Sequence, residues 1–337
     1  MGLSDRVTMA DVAREVGVSI MTVSRVINGK GDVSPTTRER VLQAIERLGY
    51  RPSGIARGLA TQRTGTLGLV VPDVANPFFA EVARGVEQVA YAEGYNVFLC
   101  NTNEDPKREL DVLGSLEEKR VDGIVLCSSR LSTDTLRMVL DAHPAVTLVN
   151  RRVDSESHIV STVCVDDTKG GILVTEHLLT RGHQAIGFLA GPSGSQSGQR
   201  RVEGYLHAYR RAGLRHTKEW VHPCAPVAEA GARAATQLLE THPELTALLC
   251  YNDLVAVGAL QAATAMGRRV PEDLAIVGFD DIPLAALVRP PLTTCHVPRY
   301  ELGAQAVALL LGQIRGEVQA PQEIILEPKL IIRASAP

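Results

Sequence analysis

The stretch "DVAREVGVSIMTVSRVING", residues 11–29, places small apolar residues on both sides of a Gly-Val-Ser turn. Just upstream, Thr8 and Asp11 have the Ser/Thr-x-x-acid spacing that opens a helix. Ala10, Ala13 and Val16 then share one helical face, and Gly17 ends the element. Val18 can plug the corner, while Ser19 can cap a second helix from Ile20 to about Asn28, closed by Gly29. A third helix is predicted after Ser34, with Pro35 at its first position, a stripe of Val41, Leu42, Ile45 and Leu48, and Gly49 as its stop. Three short helices with one tight crossing make a helix-turn-helix unit.

A cap at Ser19 puts Ile20, Met21 and Thr22 in the first turn of the second helix, the part that reaches base edges in a major groove. Val23 and Val26 face inward. Arg25 projects on the opposite side with a planar fork suited to O6 and N7 of guanine, a contact worth roughly 1–3 kcal/mol of discrimination. Ile20 and Met21 have no hydrogen-bonding side-chain groups, so they can read only shape and thymine methyls. Thr22, Ser24 and Asn28 suit phosphate contacts that set register. Thr8 and Ser19, at the helix starts, complete the DNA-facing set in this unit. A three-helix protein-binding module is the alternative.

Charge supports a polyanionic partner for this end of the chain. Residues 1–63 hold ten Lys or Arg against six Asp or Glu, whereas the rest of the 337 residues holds 25 against 32. With 45% hydrophobic and 22% charged residues the composition is globular, and no apolar run is long enough to cross a bilayer. The N-terminus lacks the apolar core of a signal peptide, so the expectation is a cytoplasmic protein. The six cysteines stand singly, with no CxxC pair, and read as reduced core residues.

From Thr66 onward apolar strands alternate with amphipathic helices. Strands are predicted at "TLGLVVP", "NVFLCN", "GIVLCS" and "AVTLVN", then in a second series at "AIGFLAG", "TALLCYN" and "LAIVGFD". Strands separated by helices make parallel sheets, and two series make two doubly wound lobes whose ligands bind beyond the carboxyl ends of the strands. The segments that follow strands, "DVANPFF", "NRRVD", "GPSGSQSGQRR", "NDLVA" and "FDDIP", carry aromatic, amide, acidic and guanidinium groups. Rings that stack on C–H faces and charged forks that grip vicinal hydroxyls suit a polyhydroxylated ligand. Phe78 and Phe79 read equally well as helix-packing core. "GPSGSQSG" lacks the ending of a phosphate-binding loop, the nine histidines show no metal-ligand spacing, and no nucleophile-elbow pattern occurs. No catalytic residue, metal or cofactor is predicted.

The run from "VTMADVAREVGVSIMTVSRVING" through "VSPTTRERV" to "RLGYRPSGIARGLAT" resembles the DNA-binding head of the LacI/GalR family of bacterial transcription regulators. "NPFFAEVARGVE", "KRVDGIVL", "YNDLVAVGAL", "VPEDLAIVGFDD" and "PPLTTCHVPRYELGAQAVALLL" resemble that family's effector domain and the related periplasmic sugar-binding proteins, over essentially the whole remaining chain. The resemblance implies an all-α helix-turn-helix head plus an α/β body of two doubly wound parallel-sheet lobes, like a type I periplasmic binding protein. It implies that Ile20 and Met21, just before "TVSR", choose the operator sequence. It implies a hinge helix within 51–64 that folds on DNA, with Ala56 facing the duplex and Leu59 wedged into the minor groove. Gly54 and Gly58 make such a helix weak on its own.

The implied domains are a head at 1–50, a hinge at 51–64 and a body at 65–337, with lobe one at 65–163 and 293–322 and lobe two at 164–292 and 323–337. The implied effector residues are Asn76, Phe78, Phe79, Asn150, Arg151, Arg201, Asn252 and Asp280. Two positions depart from common relatives: Val297 replaces a glutamine, and Asn150 replaces the aspartate of ribose-like binders. Without a leucine heptad after "PQEIILEPKLIIRASAP", whose strands are predicted to close the second lobe, the expected species is a homodimer. It binds a palindromic double-stranded DNA operator, usually as a repressor, answers a small sugar-like effector and has no membrane partner. A transport-type sugar receptor, an activator and a sugar enzyme are the competing readings; DNA binding at low salt separates the first, and turnover with a nucleotide cofactor the last.

Overall fold

The structure, a computed structural model, describes residues 7–27, 29, 31–50, 63–143, 145–153, 160–318 and 321–337. Asn28, Ala56 and Leu59 lie outside the described residues. The chain divides into two compact units between Thr64 and Gly65.

In the first unit, helix α1 (Met9–Val16) opens with a complete capping box: Thr8 Oγ1 accepts from the Asp11 amide, and the Asp11 carboxylate accepts from the Thr8 amide. These bonds hold the Asp11 carboxyl below its ordinary range, those from Thr8 most strongly. Gly17 takes the left-handed conformation, φ 70°, that lets the chain turn sharply into α2 (Ile20–Ile27). Ser19 Oγ accepts from the Thr22 amide at 3.1 Å, which fixes where α2 begins. Helix α3 (Pro35–Leu48) starts from Ser34 and stops at Gly49. Val12, Ala13, Val16, Val23, Val26, Val41, Ala44 and Tyr50 form the core, with Val18 packed against it.

Two expected core positions are corrected. Leu42 is exposed while Ala44 is buried, because Val41, Ala44, Ile45 and Leu48 form the i, i+3, i+4, i+7 face and Leu42 lies off it. Ala10 is likewise only half-buried, and Val12 takes its place.

The second unit contains two six-stranded sheets. The first has order β11-β5-β4-β3-β1-β2, formed by β1 (Thr66–Val71), β2 (Asn96–Asn101), β3 (Gly123–Cys127), β4 (Val146–Val149), β5 (Ser161–Val165) and β11 (Glu323–Leu326). The second has order β12-β10-β9-β8-β6-β7, formed by β6 (Ile186–Leu189), β7 (Val221–His222), β8 (Ala247–Cys250), β9 (Ala275–Asp280), β10 (Thr293–His296) and β12 (Lys329–Ile331). Every pairing is parallel except that of β10 with β12. Strands β5, β7 and β10 add to those that the hydrophobic pattern predicts.

Helices α4 (Pro77–Ala92), α5 (Pro106–Glu118), α6 (Thr133–Ala142), α7 (Asp167–Thr180), α8 (Gln196–Arg211), α9 (Ala228–Thr241), α10 (Asp253–Ala265), α11 (Pro283–Leu287) and α12 (Arg299–Arg315) connect the strands. The chain crosses between lobes after β5, β10 and β11. The expected boundaries are therefore corrected at two strands. Thr293–His296 pairs with β9 in the second sheet, not the first, and Glu323–Leu326 pairs with β5 in the first sheet, not the second. Backbone pairing decides membership here, and a strand's own apolar pattern does not name its partner. Among the described residues no helix is long and apolar enough to cross a membrane.

Candidate DNA-reading helix and ligand cleft

The first turn of α2 presents Ile20, 53% exposed, and Met21, 65% exposed, to water, while Val23 and Val26 of the same helix are buried in the head. Adjacent apolar side chains left in solvent at a capped helix start make a surface built for a partner. Thr22 and Ser19 join their hydroxyls at 2.9 Å, and Arg25 is exposed a turn further on. Thr8, also exposed, commits its hydroxyl to Asp11 at 2.6 Å, and Ser24 is half-buried.

In the body, the carboxyl ends of the strands from both sheets line a cavity of about 20 Å3. That is room for little more than a water molecule, so a sugar-sized ligand would need the lobes to part. Asn76, Phe78, Phe79, Asn150, Arg201, Asn252 and Asp280 line it together, seven of the eight expected residues. The eighth, Arg151, is corrected: its Nη2 donates to the Leu131 carbonyl at 3.0 Å and toward Thr133 Oγ1 at 3.4 Å, so it turns away from the cavity. Val297 is buried in the hydrophobic core.

Each lining side chain is positioned by its element. Asn76 caps α4, accepting from the Phe78 amide at 2.9 Å, and this cap aims Phe78 and Phe79 at the cavity, where their rings meet edge to face at 5.0 Å. Asn252 caps α10 in the same way, accepting from Val255 at 2.9 Å and donating to the Pro226 carbonyl at 3.2 Å. Ser128, Asn150 and Asp280, at the ends of β3, β4 and β9, all adopt positive φ, of 47°, 53° and 104°. Left-handed backbone in residues with a Cβ costs energy and collects where a site demands a particular direction.

Arg201, buried on α8, is the electrostatic centre. Its Nε donates to Asp167 at 2.8 Å, Nη1 donates to the Tyr251 carbonyl at 2.5 Å, and Nη2 stands 3.8 Å from Asp280. Its guanidinium lies 3.6 Å from the centroid of the Phe279 ring. Burial works against the cation, but the carboxylates of Asp167 and Asp280 outweigh it and hold Arg201 charged. Burial pushes the Asp280 carboxyl up to about 7, against the pull of Arg201 and Arg299.

Glu104, Ser128, Arg130, Ser197, Pro226 and Tyr251 also line the cavity. Ser128, Arg130 and Tyr251 follow strands, the signal that marked the others. Glu104 follows β2 at the same distance as Arg130 follows β3, and its carboxylate takes Nε of Arg130 at 2.5 Å and Nη2 at 3.2 Å. A wider opening of about 450 Å3 shares Glu104, Arg130 and Pro226 with the cavity. One polar clasp spans the lobes: Gln196 Oε1 accepts from the Arg152 amide at 2.8 Å, and its Nε2 donates to the Arg152 carbonyl at 3.1 Å.

A capped helix-turn-helix beside a two-lobed body with a closed polar cavity defines a ligand-responsive DNA-binding regulator. Residues 8–53 match the model for bacterial regulatory proteins of the lacI family, and residues 64–334 match the model for periplasmic binding proteins and the sugar-binding domain of that family. The chain belongs to the lacI family of bacterial regulatory proteins. It is 40% identical to the ribose operon repressor of Halalkalibacterium halodurans, covering 97% of this chain and 96% of that one. It is 39% identical to the transcriptional repressor PurR of Haemophilus influenzae, covering 97% and 98%. Among solved structures, the lac repressor dimer bound to operator and the anti-inducer ONPF superposes with a TM-score of 0.87 at 28% identity, covering 98% and 99% of the two chains.

Proposed function

We propose that this chain is a homodimeric transcriptional repressor that binds a palindromic operator through α2 and changes its operator affinity when a small sugar or sugar derivative enters the interlobe cavity. Ile20 and Met21 read the operator by shape and methyl contacts, Arg25 reads one guanine per half-site, and Thr8, Ser19, Thr22, Ser24 and Asn28 set register on the backbone. Ala56 and Leu59 belong to a hinge that contacts the minor groove. The observation that carries the effector reading is Arg201 held beside Asp280, with Phe78 and Phe79 lining the same interlobe cavity. The relatives named as repressors, one of them of a ribose operon, support both halves.

The test joins two measurements on the full chain. A thermal-shift panel of pentoses, hexoses and sugar derivatives finds a ligand, since one present at 100 times its Kd adds about 2.7 kcal/mol of stability. Anisotropy titrations on an operator selected from random DNA then measure affinity with and without it. A coupling of about 1–3 kcal/mol is expected. A ligand that saturates the cleft yet leaves operator affinity unchanged rules out the allosteric reading.

A further inference from the structure

The cavity is lopsided in its hydrogen-bonding groups. Three asparagines line it, and each has its carbonyl oxygen already engaged by a backbone amide: Asn76 by Phe78 at 2.9 Å, Asn150 by Val165 at 3.1 Å and Asn252 by Val255 at 2.9 Å. These bonds fix the orientation of every amide, because only an oxygen can accept from a backbone N–H. What is left over in each is N–H. Both protons of Asn76 and of Asn150 remain, together with one of Asn252, whose other proton goes to Pro226. Arg201 adds Nη2, 3.8 Å from its nearest carboxylate and beyond hydrogen-bond length.

Acceptors are scarce by comparison. Each Glu104 oxygen already accepts one bond from Arg130, and Tyr251 shares its hydroxyl with Ser195 at 3.0 Å. Asp280 is the one carboxylate on the cavity wall, among the described residues, without a hydrogen bond to protein. Ser128 and Ser197 can act either way. The asparagines are all nine-tenths buried or more as residues, yet their unmet N–H groups still open on the cavity, where a ligand or water can answer them.

A hydroxyl can accept from these N–H groups, but it also brings one proton for its two lone pairs, so a ligand with hydroxyls alone calls on the wall for acceptors as well as donors, and Asp280 is the main one. A group with acceptors and no proton meets it well. The donors are also grouped: Ser128 and Asn150 end the adjacent strands β3 and β4, and Asn76 follows β1 on the other side of β3. We propose that the ligand is a sugar derivative carrying an sp2 oxygen group, the carboxylate of a sugar acid or the carbonyl of its lactone, which sits on the Asn76 and Asn150 amides while its hydroxyls engage Asp280 and Arg201. This rests on the cleft reading above and narrows it from sugars in general to their oxidised derivatives.

Isothermal titration of the full chain compares aldonates, uronates and the corresponding lactones with the matching aldoses and alditols. An acid or lactone is expected to bind at least tenfold more tightly than its matching aldose. A preference for the acid identifies the carboxylate, and a preference for the lactone identifies the neutral carbonyl. An aldose or alditol that binds equally well or better overturns the proposal and leaves the sugar reading standing. Silence across all of them overturns both.

Asn150→Asp supplies the second arm. The aspartate can keep the bond from the Val165 amide but replaces the free NH2 with an acceptor. It is expected to weaken the acid at least tenfold and to improve the aldose. A variant that melts and binds operator like the parent yet keeps the parent's ligand ratio overturns the proposal.

Discussion

Asp280 shows how a residue can be costly to the fold while standing where the proposed ligand would use it. Burial raises its carboxyl to about 7, far above an unfolded aspartate near 3.9, so the folded state holds a proton that the unfolded state has lost between those values. Its contribution to stability is therefore fully present below about pH 4 and is lost as pH rises through 7. Asp280→Asn removes this loss. Calorimetry should show the variant more stable than the parent at pH 8, by on the order of 1–3 kcal/mol, with the gap shrinking toward pH 5. The same variant should bind ligand at least tenfold more weakly at pH 8, where the parent's carboxylate is ionised and accepts hydroxyl protons. A gap that does not depend on pH would mean Asp280 is already ionised at pH 5. In the head, Arg25→Ala is expected to cost 1–3 kcal/mol at one guanine of each half-site and little on random DNA, measured by competition among operator variants. Equal loss on random DNA would reduce Arg25 to a phosphate contact.

At the scale of elements, what could be read in the sequence follows from whether the information was local. The three head helices begin and end as predicted because Thr8, Ser34, Gly17 and Gly49 act on their own first or last turn. The rule that ligands gather after strands pointed to the segments, and the family resemblance chose within them Asn76, Asn150, Arg201, Asn252 and Asp280, which line one cavity. The resemblance misplaced Arg151, since successive residues leave a strand in different directions and the Leu131 carbonyl that captures Arg151 lies 20 residues away. Strand β11 was placed in the wrong lobe for the same reason, since its partner β5 is distant in sequence; β10 pairs with β9, the strand just before it, so distance does not account for its misplacement. The Gln196 clasp on Arg152 is equally non-local, and it joins α8 of one lobe to the segment after β4 of the other. Two such bonds are worth about 0.5–1.5 kcal/mol each. Gln196→Ala should open the empty cleft, raise its radius of gyration in small-angle scattering and weaken ligand binding by up to about tenfold. Unchanged scattering and affinity would show the clasp to be incidental to closure.

At the scale of the molecule, the helix-turn-helix and the interlobe cavity lie in separate units, divided between Thr64 and Gly65. The charge is divided in the same way, with the excess of Lys and Arg confined to residues 1–63. Operator binding should therefore weaken steeply with salt, as counterion release from phosphate requires, whereas ligand binding to the body should change little. A coupling free energy between the two sites is reciprocal: whatever factor the ligand applies to operator affinity, the operator applies to ligand affinity. With a coupling of 1–3 kcal/mol, ligand Kd measured on the protein saturated with operator should differ from that on free protein by about 5- to 150-fold. The factor must equal the one found for operator when ligand is saturating. Leu59→Ala, in the connecting segment, should shrink both factors together while leaving ligand affinity of the free protein unchanged. If the two factors disagree, the ligand acts through something other than one equilibrium shared by head and body, such as a change in assembly; if Leu59→Ala leaves both intact, the hinge leucine contributes to DNA contact without carrying the signal.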